Sequence, residues 1–263
     1  MKYRVFAIAA HPDDIEFSMS GTLILLAEAG CEIHYMNIAN GSCGTSEYDI
    51  NTIVAIRLEE AKKASKSIGA EFHPPLVPDL EIYYNKELLA KISSIIREVA
   101  PDVLLVPSPE DYMEDHTNTC RLAITAAFAR SMQNFQVDPP RAPVYNEISV
   151  YHAQPHGNRD ALNRLVIPEF FINIGEVMKG KTDMLAEHKS QKEWLDRSQG
   201  FNSYLNTMKE HAREMGKLSG RFDFAEGWRR HNPIGFCTDD SNPLADLLQK
   251  YFCVTSNNSN RVE

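Results

Sequence analysis

Two stretches of the chain are dense in side chains that can bind a metal or move a proton. The first is His11-Pro12-Asp13-Asp14-Ile15-Glu16, and the second is Ser108-Pro109-Glu110-Asp111-Tyr112-Met113-Glu114-Asp115-His116. Carboxylates brought together repel one another unless a cation lies between them. His11, Asp14 and His116 offer two imidazoles and one carboxylate, the ligand set of a hydrolytic zinc site that keeps a position open for water. Asp13 adjoins these ligands without being needed as one, so it can take the proton from that water. The same ligand set serves non-haem iron oxygenases, but those usually sit on β-jelly rolls. The bland alternative is that Asp13 and Asp14 are first-turn acids at a helix N-terminus.

The elements around these stretches decide between the readings. Val5 to Ala10 is a short apolar run, the mark of a strand covered on both faces. A helix is expected over Ser18 to Ala29, a strand over Cys31 to Ala39, a loop over Asn40 to Asp49 and a helix over Ile53 to Ile68. A weak strand follows at Glu71 to Val77, then a helix at Lys86 to Val99 and a buried strand at Val103 to Val106. Strand alternating with helix predicts a doubly wound, mostly parallel α/β sheet of Rossmann type with helices on both faces. In such sheets ligands sit beyond the carboxyl ends of the strands, where the strand order reverses. The two acidic loops follow the first and fourth strands and are expected to meet there. The first loop lacks Gly-x-Gly-x-x-Gly, which argues against a dinucleotide.

The second half is less regular. Strands are expected at Tyr145 to His152 and Phe170 to Ile174, and helices at Glu176 to Asp196 and Ser198 to Lys217. With no linker or internal repeat, one domain over 1–263 is predicted. It comprises a βαβ core at 1–135, a C-terminal elaboration at 136–255 and a frayed polar tail at 256–263.

Composition sets the wider bounds. The chain has 263 residues, 43% of them hydrophobic and 24% charged, which is ordinary globular usage. A formal net charge of −9 disfavours nucleic acid as a partner. Five cysteines at wide spacings, with no Cys-x-x-Cys, fit neither a disulfide framework nor a cysteine zinc site. No apolar run approaches the ~20 residues of a membrane span, and the opening residues lack a signal-peptide pattern. A cytoplasmic protein with no membrane partner is expected.

His11-Pro12-Asp13-Asp14-Ile15-Glu16 followed by Gly21-Thr22 resembles the signature of the PIG-L/LmbE-like zinc-dependent de-N-acetylases. Further motifs follow in order: Asn40-Gly41-Ser42-Cys43-Gly44, Arg57-Leu58-Glu59-Glu60-Ala61 with Gly69, and Asp115-His116. Leu185, His188, Ser190, Gln191, Gly216, Gly220 and Ala225-Glu226 resemble later family segments. The resemblance implies a Rossmann-like fold and hydrolysis of an N-acetyl group from a small substrate, usually an amino sugar. It implies one zinc per chain on His11, Asp14 and His116, Asp13 as general base, and a homo-oligomer. A zinc amidase acting on a larger amide, or a metal- or sugar-binding homologue with weakened catalysis, are the alternatives. One departure stands out. Many family members carry, three residues before the last ligand, a histidine that donates to the oxyanion; here Met113 stands there and cannot donate. Asp115, which would orient that histidine, is retained; either zinc alone holds the oxyanion, or Tyr112 or another histidine substitutes, or the reaction differs.

Other residues are weighed against plainer roles. Arg57 is expected to face the substrate, or else to pair with Glu59 or Glu60. His188 is divided evenly between structure and function. His152 and His156 read as loop residues near the crevice at best, since Pro155 separates them. His34, His73, His211 and His231 show no carboxylate pattern nearby and read as surface or packing residues. Trp194, Phe201, Tyr204, Trp228 and Phe236 form either a sugar-stacking wall or, more simply, core. Arg229-Arg230-His231 reads as a solvated face.

Overall fold

The computed structural model describes residues 2–199 and 203–255. In chain order the elements are β1 (Arg4–Ala9), α1 (Asp14–Ser18), α2 (Ser20–Glu28), β2 (Glu32–Asn37), α3 (Ile50–Ser67) and β3 (Glu71–His73). Then come α4 (Lys86–Val99), β4 (Val103–Val106), α5 (Glu114–Phe128), β5 (Ser149–Ala153), β6 (Phe170–Asn173) and α6 (Met178–Ala186). The chain continues through α7 (Lys189–Gln199), α8 (Ser203–Ser219), β7 (Ala225–Arg230), α9 (Pro243–Leu247) and β8 (Phe252–Val254). One eight-stranded sheet has the order β3-β2-β1-β4-β5-β7-β6-β8. The five strands from β3 to β5 pair in parallel, and β7, β6 and β8 extend the sheet antiparallel.

Both faces of β1 are covered, which is why its sequence does not alternate. Val5, Ala7 and Ala9 join one apolar cluster with Leu23 and Leu26 of α2. Phe6 and Ile8 join the other with Ile92 and Ile96 of α4 and Leu122 of α5. β1 lies between β2 and β4, so the order reverses at the carboxyl ends of β1 and β4, where the sequence expects the crevice.

Several bounds differ from expectation. The helix expected over Ser18 to Ala29 starts at Asp14 and breaks at Met19. The break is fixed from far away: the Glu226 carboxylate accepts from Gly21 N at 2.8 Å and Thr22 N at 2.7 Å, satisfying the free amides of a new helix start. Only glycine fits at 21, because a Cβ there would lie 2.7 Å from Ile174 Cγ2. The single helix expected over Glu176 to Asp196 is split at Glu187 and His188. There Glu60 accepts from the Ser190 amide at 2.9 Å and hydroxyl at 2.7 Å, starting α7. α3 begins three residues early because Asp49 caps it through Thr52 N at 3.1 Å. Helix α5 was not foreseen, and it carries His116 in its first turn.

The Arg229-Arg230-His231 run is not a solvated face. Arg229 and Arg230 lie on β7, an interior strand, and Arg229 donates to Ser108 Oγ at 2.7 Å. The tail at 256–263, Phe201 and residues 200–202 of the expected Ser198 to Lys217 helix lie outside the described residues.

Candidate active site

The turn after β1 delivers His11, Asp13 and Asp14 to one point. Asn37 of β2 donates to the His11 carbonyl at 2.7 Å, and the Asp14 carboxylate accepts from the His11 amide at 2.7 Å. Asp13 has φ of 101°, a conformation that non-glycine residues rarely adopt. It is held there by Tyr204, whose hydroxyl donates to Asp13 Oδ2 at 2.5 Å, and by Arg57, whose Nη2 lies 3.5 Å from Asp13 Oδ1. Such strain persists only where the surroundings hold it, and it concentrates at functional sites.

His116 arrives from α5 on the other side of the crevice. Its Nε2 is 3.4 Å from Asp14 Oδ2, and His11 Nδ1 is also 3.4 Å from that oxygen. One ligand atom from each of the three residues falls within 4.8 Å of the others. Each imidazole turns its remaining nitrogen to a carboxylate. His11 Nε2 meets Asp115 Oδ2 at 3.1 Å, and His116 Nδ1 meets Asp111 Oδ1 at 3.0 Å. Carboxylates in this position fix the tautomer and aim of metal-binding histidines.

The electrostatics require positive charge at this point. Burial alone would lower the His11 imidazole, but its hydrogen bonds to Asp115 and Asp14 outweigh that and push it up to about 10. His116 is likewise raised, burial being outweighed by Asp14 and the Asp111 hydrogen bond. Burial would raise Asp14, yet His116 and His11 together hold it well below the usual carboxylate range. Without an ion, two imidazole protons supply the charge; a dication satisfies the same carboxylates directly. The donor set therefore fits a divalent transition metal. Asp13 moves the other way: burial raises its carboxyl despite Arg57 beside it.

A cavity of about 410 Å³ opens over these groups, within the usual size of small-molecule sites. The expected residues distribute plainly. His11, Asp13, Asp14, His116, Arg57, Tyr112 and Met113 line the cavity. Arg57 pairs with neither Glu59 nor Glu60; it donates to the Pro12 carbonyl at 2.5 Å and packs on the loop after β2. Gly41, at φ +79°, allows this, since a Cβ there would lie 2.5 Å from Arg57 Cδ. His188 does not reach the cavity. It is fully buried behind it, with Nε2 3.2 Å from Glu16 Oε2. Asp115 corrects an expectation. It accepts from His11 and from Leu80 N at 2.7 Å, so it is engaged at the first ligand rather than waiting to orient a side chain at 113.

Asp111 is the contributor that the sequence alone does not single out; His156, Trp194 and Tyr204, to which the sequence gives plainer roles as the favoured reading, join it. Asp111 was passed over among several acids in one loop. His156 lines the cavity, packs at a tilt against Phe17 with centroids 4.6 Å apart and lies 5.9 Å from the Tyr112 ring. Trp194 and Tyr204, from α7 and α8, line the cavity too, whereas Trp228 and Phe236 are buried in the core. His152 is buried on β5, bonded to His231 and not to the crevice.

The sequence of residues 6–127 matches the GlcNAc-PI de-N-acetylase (PIG-L) family. The same stretch contains His11, Asp13, Asp14, Arg57 and His116. Likeness to known proteins extends beyond that stretch. Diacetylchitobiose deacetylase of Thermococcus kodakarensis is 28% identical over 232 residues, 86% of this chain and 82% of that protein. The structure of N,N'-diacetylchitobiose deacetylase from Pyrococcus horikoshii superposes with a TM-score of 0.73 at 22% identity, covering 88% of this chain and 84% of that one. The 4-carboxy-2-hydroxymuconate hydratase of Pseudomonas putida superposes with a TM-score of 0.74 at 20% identity, covering 92% of this chain and all of that one. At that identity the likeness to these two structures is one of fold. No helix among the described residues is long and apolar enough to cross a membrane.

Proposed function

We propose that the chain is a zinc-dependent N-deacetylase that removes acetyl from an N-acetylated sugar or a related small molecule. The observation that carries this reading is the convergence of His11, Asp14 and His116 beside a buried carboxylate, Asp13, that the ligand set does not use. When bound, zinc supplies a water whose pKa falls to about 7 and a positive charge for the developing oxyanion. His11, Asp14 and His116 would hold the ion, and Asp115 and Asp111 would keep both imidazoles aimed. Asp13 takes the proton from the attacking water and returns it to the amide nitrogen as the C–N bond breaks. A raised carboxyl suits both halves of that transfer. Arg57 and Tyr204 hold Asp13 in place.

Met113 leaves the oxyanion without a histidine donor at that position. Tyr112 and His156 line the same cavity, and the Tyr112 ring lies 5.8 Å from His116 and 5.9 Å from His156. Burial, with Asp14 and Asp111 next, pushes the Tyr112 hydroxyl up to about 12, so it keeps its proton and can donate. Burial lowers His156, and the neutral ring still has one N–H to give. We assign oxyanion donation to His156, with Tyr112 assisting. Trp194 and Tyr204 form the apolar wall for the sugar. The chain acts as one domain, 1–263, with the 136–255 part roofing the cavity; a homo-oligomer in the cytoplasm is part of this proposal.

Acetate release from N-acetylglucosamine and N,N'-diacetylchitobiose, measured on zinc-loaded and chelated protein, tests the reading. Zinc-dependent release supports it. The same machinery can deliver water to an activated carbon–carbon double bond, so hydration of an unsaturated dicarboxylate with no acetate released from any amide would overturn it.

A further inference from the structure

A second group of metal-binding side chains lies away from the crevice, at the edge of the sheet. β3 is a three-residue edge strand, and in its parallel register with β2 His34 stands beside Glu71 and Met36 beside His73. Both imidazoles are buried, at 5% and 8% exposure, and both pack against the Phe6 ring. His34 Nδ1 lies 3.0 Å from His73 Nε2 and 3.8 Å from Glu71 Oε2. One ligand atom from each of the three residues falls within 4.8 Å of the others.

The sequence reading had these histidines free of carboxylates, and the structure overturns that. On its far side, His34 Nε2 meets Glu32 Oε1 at 3.1 Å. A carboxylate accepts only, so Nε2 carries the proton and the Nδ1 lone pair points at His73. That is the carboxylate–histidine arrangement that prepares an imidazole for a metal. It matches the way Asp115 and Asp111 prepare His11 and His116. Glu71 is exposed, with its side chain 67% accessible, so it is free to swing onto an ion at the solvent edge.

We infer that His34, His73 and Glu71 form a second divalent transition-metal site, of zinc type, that clamps the edge strand β3 to β2. Two imidazoles and one carboxylate, with a fourth position open to water, are within zinc's preferences. His73 carries its proton on Nδ1 when its Nε2 binds the ion, so the exchange costs no net charge. A strand of three residues has few ladder bonds of its own, and two ligands from β3 with one from β2 supply the missing cross-link.

Zinc titration of chelator-stripped protein, followed by elemental analysis after desalting, tests the site. Wild type should take two equivalents per chain. His116→Ala should keep one, His73→Gln should keep one, and the double variant none. Zinc should raise the Tm of His116→Ala, and that rise should vanish in the double variant. Glu71→Gln changes only an exposed side chain and should weaken the second equivalent at least tenfold, so the test survives if His73→Gln fails to fold. No zinc bound by His116→Ala, or a full second equivalent in Glu71→Gln and His73→Gln, would overturn the site. Activity plays no part in these readouts, so their outcome is separate from that of the deacetylase proposal.

Discussion

Adjacent carboxylates with opposite electrostatics give the sharpest test of the chemistry. Asp14 is held ionised by two imidazoles, while burial raises Asp13. Asp13→Asn keeps the shape and the Tyr204 and Arg57 neighbours but removes the base. It should retain zinc and lose ~10²–10⁴ in kcat, the usual worth of a positioned base. Asp14→Asn should instead lose zinc, since a neutral amide is a poorer ligand for a dication. Metal content and turnover measured on both variants check the pair; zinc loss in Asp13→Asn with retention in Asp14→Asn would mean that the roles are exchanged. His156→Ala tests the donor. It should keep its zinc and lower kcat ~10²–10³, as removal of an oxyanion donor does elsewhere, with KM changed less. Unchanged turnover would move the donor role to Tyr112. At this scale the sequence was legible where motif and spacing are local, as in His11 to Asp14. It reaches His156 only as a loop residue near the crevice, because the contact with Phe17 and closeness to Tyr112 depend on how β5 and β1 lie in the sheet.

Helix starts show where local reading stops. α4 has the bounds its apolar spacing predicts, because its cap, Asn85, is its own neighbour and accepts from Leu88 N at 2.8 Å. α2 and α7 are begun by carboxylates from distant chain, Glu226 and Glu60, so no nearby residue announces the breaks at Met19 and His188. The Arg229-Arg230-His231 run reads as a solvated face because Arg229 and Arg230 find their partners only in three dimensions. Glu226 also meets Lys181, a buried lysine whose Nζ donates to Glu226 Oε1 at 2.7 Å and to the Glu16 and Phe17 carbonyls at 2.9 and 2.8 Å. This lysine ties the end of α1, next to the His11–Asp14 turn, to the carboxylate that starts α2. Lys181→Met removes one partner of a buried pair and leaves Glu226 uncompensated. The expected cost is about 3–5 kcal/mol, read as a lower denaturation midpoint in urea. A loss below 1 kcal/mol would show that Glu226 relaxes to water and that the lysine is not the anchor.

Acid stability of the whole molecule turns on histidines that are buried neutral. Burial drives both His152 and His211 down to about 3. His211 Nε2 donates to the Pro155 carbonyl at 3.1 Å, and its ring sits near His156 and Lys181. His152 Nδ1 faces the Pro107 carbonyl at 3.2 Å and His152 Nε2 faces His231 Nδ1 at 3.0 Å. If Nδ1 donates to the carbonyl, Nε2 must accept from His231, and a second proton on His152 would set two N–H groups against each other. In the unfolded chain both histidines titrate near 6.5. Between that value and about 3, the unfolded state binds protons that the folded state refuses. Stability from these two groups is therefore complete above pH ~6.5 and falls as pH drops toward 3, by up to about 1.4 kcal/mol per pH unit for each. His11 and His116 act in the opposite sense in metal-free protein, being raised, so a single acid curve mixes the two effects. Comparing wild type with His152→Gln/His211→Gln at the same metal loading cancels that shared part. Denaturant titrations at half-unit steps from pH 7 to 4.5 should give a flatter fall in the double variant, even if it starts less stable at pH 7. Parallel curves would mean that His152 and His211 take up protons in the folded state as readily as in the unfolded one, and the burial argument for them would fail.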